Sequence, residues 1–344
     1  MGLPSEDLLT ELWDTLANKG MGSLLKPWQI RRLSRANGEA QRHEFLMLAQ
    51  AERDANDVRA GYKQYLPDGT LNLVSHAPDI DDNERQPKRI EPTLGLGNSI
   101  SSKMQADAIK QEVNQTKAIL FAEEIVSSEK RQEQTSKKVD EDWLTRWRES
   151  AGKTSSEDIQ RLWGSILAGE LISPGTFSLR TLDFLKGLSR PEAELIQYIA
   201  PFIWFDHALW RDLPTLSDHG LTYEHLLDLQ ELGILQGVDS SSLALDFTSL
   251  YDDQYLYLLR CHKSALLLTH GDPKARLTLP LIRLTNLGRQ VIKLGNHSAN
   301  TKFLEQYAHA AASQGFKAEI CDYLPTSKED TEFEYAAFNR RRVT

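Results

Sequence analysis

The stretch Val139-Asp-Glu-Asp-Trp-Leu-Thr-Arg-Trp-Arg, continued by Ser155-Ser-Glu-Asp-Ile-Gln-Arg-Leu-Trp-Gly-Ser-Ile-Leu-Ala-Gly-Glu-Leu and by Ser173-Pro-Gly-Thr-Phe-Ser-Leu-Arg-Thr-Leu, decides the fold of the middle of this chain. It combines helix caps, tryptophan anchors and a helix stop. Thr154 or Ser155 is placed to cap a helix, with Glu157 completing a capping box on Thr154. Ile159, Leu162, Trp163, Ile166 and Leu167 recur at helical spacing, and Pro174-Gly175 marks the stop. Ser178 opens a second short helix, with Leu179, Leu182, Leu185 and Leu188 as its inner face. Ser189-Arg-Pro-Glu192 is a further capping box, opening a helix that runs through Ile199. Short, well-punctuated helices of this kind predict a compact helical domain over residues 99–212.

Working outward, Leu8, Leu9, Leu12, Trp13 and Leu16 predict an amphipathic helix broken by Gly20 and Gly22. Residues 28–65 are rich in helix formers and predict a long helix. The N-terminal helical segment is thus 1–66. Four prolines between Leu66 and Gly97 predict a linker over 67–98, and Leu94-Gly-Leu-Gly-Asn-Ser is its flexible end. Residues 99–138 predict another long polar helix with a narrow apolar stripe through Ile109, Val113, Ile119, Leu120 and Ile125. That stripe suits packing on the N-terminal helix better than a separate coiled coil.

Beyond Pro214 the texture changes. Thr222 opens a helix lined by Leu226, Leu229 and Leu232, with Gly233 as its stop. Residues 243–247, 255–259, 265–269 and 277–284 are leucine-rich and β-compatible, and Leu284-Thr-Asn-Leu-Gly starts another helix. This order predicts a winged-helix-like α+β domain over 213–325. Its last parts are a helix from Phe303 to Ser313 and a strand from Phe316 to Cys321. Residues 326–344 are expected to be a polar, frayed tail. The fold class is therefore mainly α with a smaller α+β part.

The 344 residues allow two or three units with a sizeable core, and the 26% charged and 40% hydrophobic content is an ordinary globular mixture. A net charge of −9 gives no global attraction for nucleic acid or anionic lipid. Only two cysteines occur, without Cys-x-x-Cys spacing, so a disulfide framework and a thiolate zinc site have no basis. The acidic opening Met1–Asp7 is unlike a secretory leader, and no apolar run reaches the roughly 18 residues of a membrane span. A cytoplasmic location is expected.

The nine histidines form no metal-binding spacing, and His219 with His225 is read as a turn and a helix surface. No phosphate loop or nucleophile elbow occurs. Catalytic, cofactor and metal residues are accordingly expected to be none. The sharpest basic patch is Lys26, Arg31, Arg32, Arg35 and Arg42, with Trp28 inside it and Leu24 and Leu25 beside it. It suits phosphate or membrane headgroup contact, or else a solvated helix face. By contrast, residues 223–232 are acidic where a DNA reader would be basic, which favours protein contacts. Trp143, Trp147 and Trp163 are read as core anchors, and Glu170 and Arg180 as charges bracketing the Pro174 turn.

Together, Asp142-Trp-Leu, Gln160-Arg-Leu-Trp, Leu167-Ala-Gly-Glu, Pro174-Gly-Thr-Phe-Ser-Leu-Arg-Thr-Leu and Leu284-Thr-Asn-Leu-Gly resemble an uncharacterised bacterial family, domain of unknown function 2806. Pro27, Arg31-Arg32 and Ala36 also resemble its N-terminal pattern. Leu162-Trp-Gly-Ser-Ile-Leu-Ala is more loosely similar to abortive-infection alpha proteins, which implies a phage-defence or prophage setting. The family implies no catalytic residues. The expected function is that of a non-enzymatic interaction protein with a protein partner. Nucleic-acid binding, a membrane surface and self-association are the alternatives.

Overall fold

The computed structural model describes residues 39–65, 71–73, 92–128, 138–205, 207–240, 243–249, 251–325 and 335–343. The chain is mixed α and β and divides into two compact units, Met1–Leu182 and Asp183–Thr344. The helix expected at Leu8–Leu16 lies outside the described residues, as do Lys26, Trp28, Arg31, Arg32 and Arg35.

In the first unit, α1 (Glu39–Ala60) and α2 (Pro92–Ser128) run antiparallel. Leu48 packs on Val113 and Leu120, Glu52 pairs with Lys117, and Arg59 with Asp107. The expected packing of the Ile109–Val113–Leu120 stripe on an N-terminal helix is therefore observed. The long helix expected over 28–65 ends sooner. The chain turns at Gly61 and forms the antiparallel pair β1 (Lys63–Tyr65) and β2 (Leu71–Leu73), with the Lys63 ammonium tied back to Asp54 and Asp57. The region read as a linker thus holds a strand, and its Leu94–Ser99 end is already helical because α2 starts at Pro92, which suits a first helical turn.

Two helices complete this unit, α3 (Glu141–Gly152) and α4 (Glu157–Ile172). Asp140 caps α3 by accepting from the Trp143 N–H at 3.0 Å. The expected Thr154–Glu157 box does not form. The Thr154 hydroxyl donates back to the Ser150 carbonyl at 3.1 Å, and Ser156 takes the N-cap position of α4. The face of α4 is also rotated from expectation, with Ile159 exposed and Gln160 buried. Gln160 tolerates this because its amide donates to Asn114 Oδ1 and to the Thr154 carbonyl, at 3.1 and 3.0 Å. At Gly164 the two backbones come close, and a Cβ there would lie 2.8 Å from the Ala118 carbonyl oxygen of α2.

The unit boundary falls within α5 (Leu179–Gly187), where Leu182 is buried but Leu179, expected inside, is exposed. The second unit continues with α6 (Arg190–Ile199), whose Ser189–Glu192 capping box forms as expected, and a short 3-10 turn, Ala200–Phe202. Strands β3 (Ile203–Trp204) and β4 (Ala208–Trp210) precede α7 (Leu213–Asp218) and α8 (Tyr223–Glu231), the latter capped by Thr222. Next come β5 (Leu235–Gln236), β6 (Ala244–Thr248), β7 (Tyr255–Cys261), β8 (Ser264–His270) and β9 (Arg276–Leu284).

One antiparallel sheet has the order β3-β4-β9-β5, with β6 pairing the earlier half of β9. The chain then forms α9 (Asn286–Ile292), α10 (Thr301–Ser313) and β10 (Lys317–Pro325). The tail expected to fray instead forms β11 (Tyr335–Arg342), which completes a second antiparallel sheet in the order β11-β10-β8-β7. Backbone pairing with β10 orders this polar segment without need of an apolar stripe. Phe303 and Tyr307 of α10 pack on Phe202, Trp204 and Trp210 within the unit's core.

Candidate functional site

The motif residues of the first unit converge around the turn between α4 and α5. Glu170, 3% exposed, aims its carboxylate into that turn and accepts from Gly175 N at 2.5 Å and Phe177 N at 2.9 Å. Burial pushes its carboxyl above the usual value, tempered by the amides of Phe177, Gly175 and Thr176. The Trp143 indole donates to the Phe177 carbonyl at 2.7 Å, so both backbone groups of Phe177 are held. Its ring lies against Gly169. Trp147, fully buried, donates from Nε1 to the Trp163 carbonyl at 2.9 Å and ties α3 to α4.

Beside this clamp lies a cleft of about 630 Å³, lined by Trp143, Pro174, Phe177 and Leu179 together with Asp140, Asp142, Glu170 and Lys138. Glu170 is committed to backbone donors and Asp140 to its cap, which makes this a rigid frame with an acidic rim. Arg180 stands exposed at the start of α5, and Glu170 takes its hydrogen bonds from the turn instead. Of the residues singled out in the sequence, Trp143, Glu170 and Pro174 meet at the cleft, while Trp147, Gln160 and Trp163 serve the helix packing behind it. Arg42 falls on α1, and its side chain lies outside the described residues. Phe177 and the buried Asn114 were not legible beforehand. The only signal for Asn114 was an amide in the middle of a helix.

The second unit presents a different surface. On α8 the residues Tyr223, Glu224, Asp228 and Glu231 are exposed, while Leu226 and Leu229 face the core. The Tyr223 hydroxyl donates to Asp239 Oδ1, and Gln230 donates to Asp239 Oδ2 at 3.2 Å, which joins the helix to the turn after β5. These bonds to its charged form hold the Asp239 carboxyl below its usual value. Among the described residues, no group of three or more His, Cys, Asp or Glu side chains is placed to hold a metal ion, and no helix is long and apolar enough to cross a membrane.

The model of the family described as protein of unknown function (DUF2806) matches residues 102–308. No curated protein and no solved structure matches the chain. The looser similarity to abortive-infection alpha proteins finds no support in these comparisons. The family match spans more than half of the chain and contains the motif residues from Trp143 to Gly288, and the chain belongs to this family.

Proposed function

We propose that the chain is a non-enzymatic interaction protein whose second unit is a winged-helix-like module adapted to a protein partner. The chain order α6, β4, α7, α8, β5, β9, with β3 and β6–β8 inserted, and the place of β9 between β4 and β5 in the sheet, support the winged-helix-like reading. In that plan α8 occupies the place of a recognition helix. The observation that carries the proposal is the charge of its outward face. Glu224, Asp228 and Glu231 are exposed there, and Asp239 adjoins them, which opposes the phosphates of nucleic acid and favours a basic protein surface.

The test is capture of partners by the tagged full chain from phage-infected and uninfected bacterial cells, with and without nuclease. The expected result is a nuclease-resistant protein partner that is lost when Glu224, Asp228 and Glu231 are all changed to Arg. Nucleic acid as the main captured species would overturn the proposal. Recovery from infected cells alone would place the interaction in phage defence.

The basic run from Lys26 to Arg42 in an acidic chain carries a second reading, nucleic-acid binding. It predicts an affinity that falls steeply with salt and disappears when Arg31 and Arg32 are both changed to Ala.

A further inference from the structure

We propose that His262 and His297 form an acid-sensitive latch that fastens the connector between α9 and α10 to the core of the second unit. His262 sits in the turn between β7 and β8 with a left-handed backbone, φ 55°. Its Nε2 lies 2.7 Å from the Ala200 carbonyl oxygen, so it carries hydrogen there and donates, while its own carbonyl accepts from the Tyr323 hydroxyl at 2.7 Å. The ring is thereby pinned to the 3-10 turn on one side, and its residue to β10 on the other.

His297 lies in the connector, with its ring centroid 5.7 Å from that of His262. The ring sits directly on the connector backbone, since a Cβ at Gly295 would lie 2.0 Å from its Nε2. Three residues on, Asn300 N–H donates to the Pro201 carbonyl at 3.1 Å, and the Asn300 side chain caps α10 by accepting from Phe303 N at 3.1 Å. The imidazole pair and the Asn300 bonds thus hold one connector to one 3-10 turn.

Four elements flank the pair. The β7–β8 turn contributes His262 and the exposed Lys263, and the end of α9 contributes the exposed Lys293 and the Ile292 carbonyl. The 3-10 turn contributes carbonyls, and β10 the hydroxyl of Tyr323 and, opposite Ser264, the carboxylate of Asp322. Burial, and then His262, push the His297 imidazole below its ordinary value, although the Ile292 carbonyl favours its proton.

The sign follows from that direction. The neutral ring's contribution is complete above the unfolded value near 6.5 and is lost as pH falls through it toward the lower folded value. A protonated His297 brings its charge against the His262 ring 5.7 Å away, and the connector and the N-terminus of α10 loosen together.

The test is an NMR titration of the full chain from pH 8 to pH 5, following the two imidazoles and the backbone amides of Asn300 and Phe303. The expected result is that both amides shift with the midpoint of His297, and that His297→Gln flattens their response. Amides that stay still while His297 titrates in the unaltered protein would sink the latch, whether or not the variant folds. Amides that still respond in a folded His297→Gln variant would do the same.

Discussion

The carboxylate of Glu170, in the last turn of α4, accepts the N–H of Phe177, seven positions on in the turn before α5, at 2.9 Å. The turn is therefore held by a side chain in place of a regular ladder. Glu170→Ala leaves two backbone donors without their acceptor, the Phe177 N–H buried and the Gly175 N–H partly buried. It is expected to destabilise the first unit by about 2–6 kcal/mol, at roughly 1–3 kcal/mol for each lost partner. Glu170→Gln keeps one accepting oxygen and should fall between. Urea unfolding measures both, and a loss below about 0.5 kcal/mol for the alanine variant would show that the clamp is dispensable.

Trp147 joins packing to a hydrogen bond. Replacing it with Phe keeps an aromatic ring but leaves the Trp163 carbonyl without its indole donor, for an expected loss of about 1–3 kcal/mol. Trp147→Ala removes the ring as well and should cost about 3–5 kcal/mol. Equal losses in the two variants would mean that the bond, and not the buried ring, dominates.

Gly288 lies in the first turn of α9, where that helix meets the backbone before β5. A Cβ at this position would lie 2.3 Å from the Ile234 carbonyl oxygen, and a backbone atom has no rotamer by which to escape. Gly288→Ala is expected to destabilise the second unit by about 1–3 kcal/mol of overpacking strain and so to lower its thermal midpoint. The better intrinsic helix propensity of alanine predicts the opposite sign. A calorimetric scan decides between them.

The capping box of α6 gives a pH dependence of known direction. The Ser189 side chain, and then the bond from Ser189 N to Glu192 Oε2 at 2.7 Å, hold the Glu192 carboxyl below its ordinary value. A depressed acid stabilises the fold above the unfolded pKa, and that contribution is lost as pH falls through the folded one. Acidification from pH 5 downward should therefore release the Ser189 amide, seen as a shift of its NMR signal with the Glu192 midpoint. Glu192→Gln should abolish that response.

Local features were legible where the physics is local. The Ser189–Glu192 box, the Thr222 cap and the stops after Ile172 and Leu232 all depend on residues within one turn, and spacing alone located them. The orientation of α4 was not legible, because it depends on Asn114, distant in sequence, giving Gln160 a buried partner. Ile159 was left outside as a result. The acidic face of α8 was visible as composition, whereas the cleft beside Trp143 required α3, α4 and the Pro174 turn to be brought together.

The amino-acid sequence by itself determined where α6 and α8 start, where α4 and α8 stop, which tryptophans anchor the α3–α4 pair and to which family the chain belongs, because caps, periodicity and motif spacing act over a few residues. Only the tertiary structure decided that β9 lies between β4 and β5, that the polar C-terminal segment pairs as β11, and that His297 reaches His262. Strand partners are chosen by backbone hydrogen bonds that any residue but proline can donate, and side chains far apart in sequence meet only after those partners are fixed.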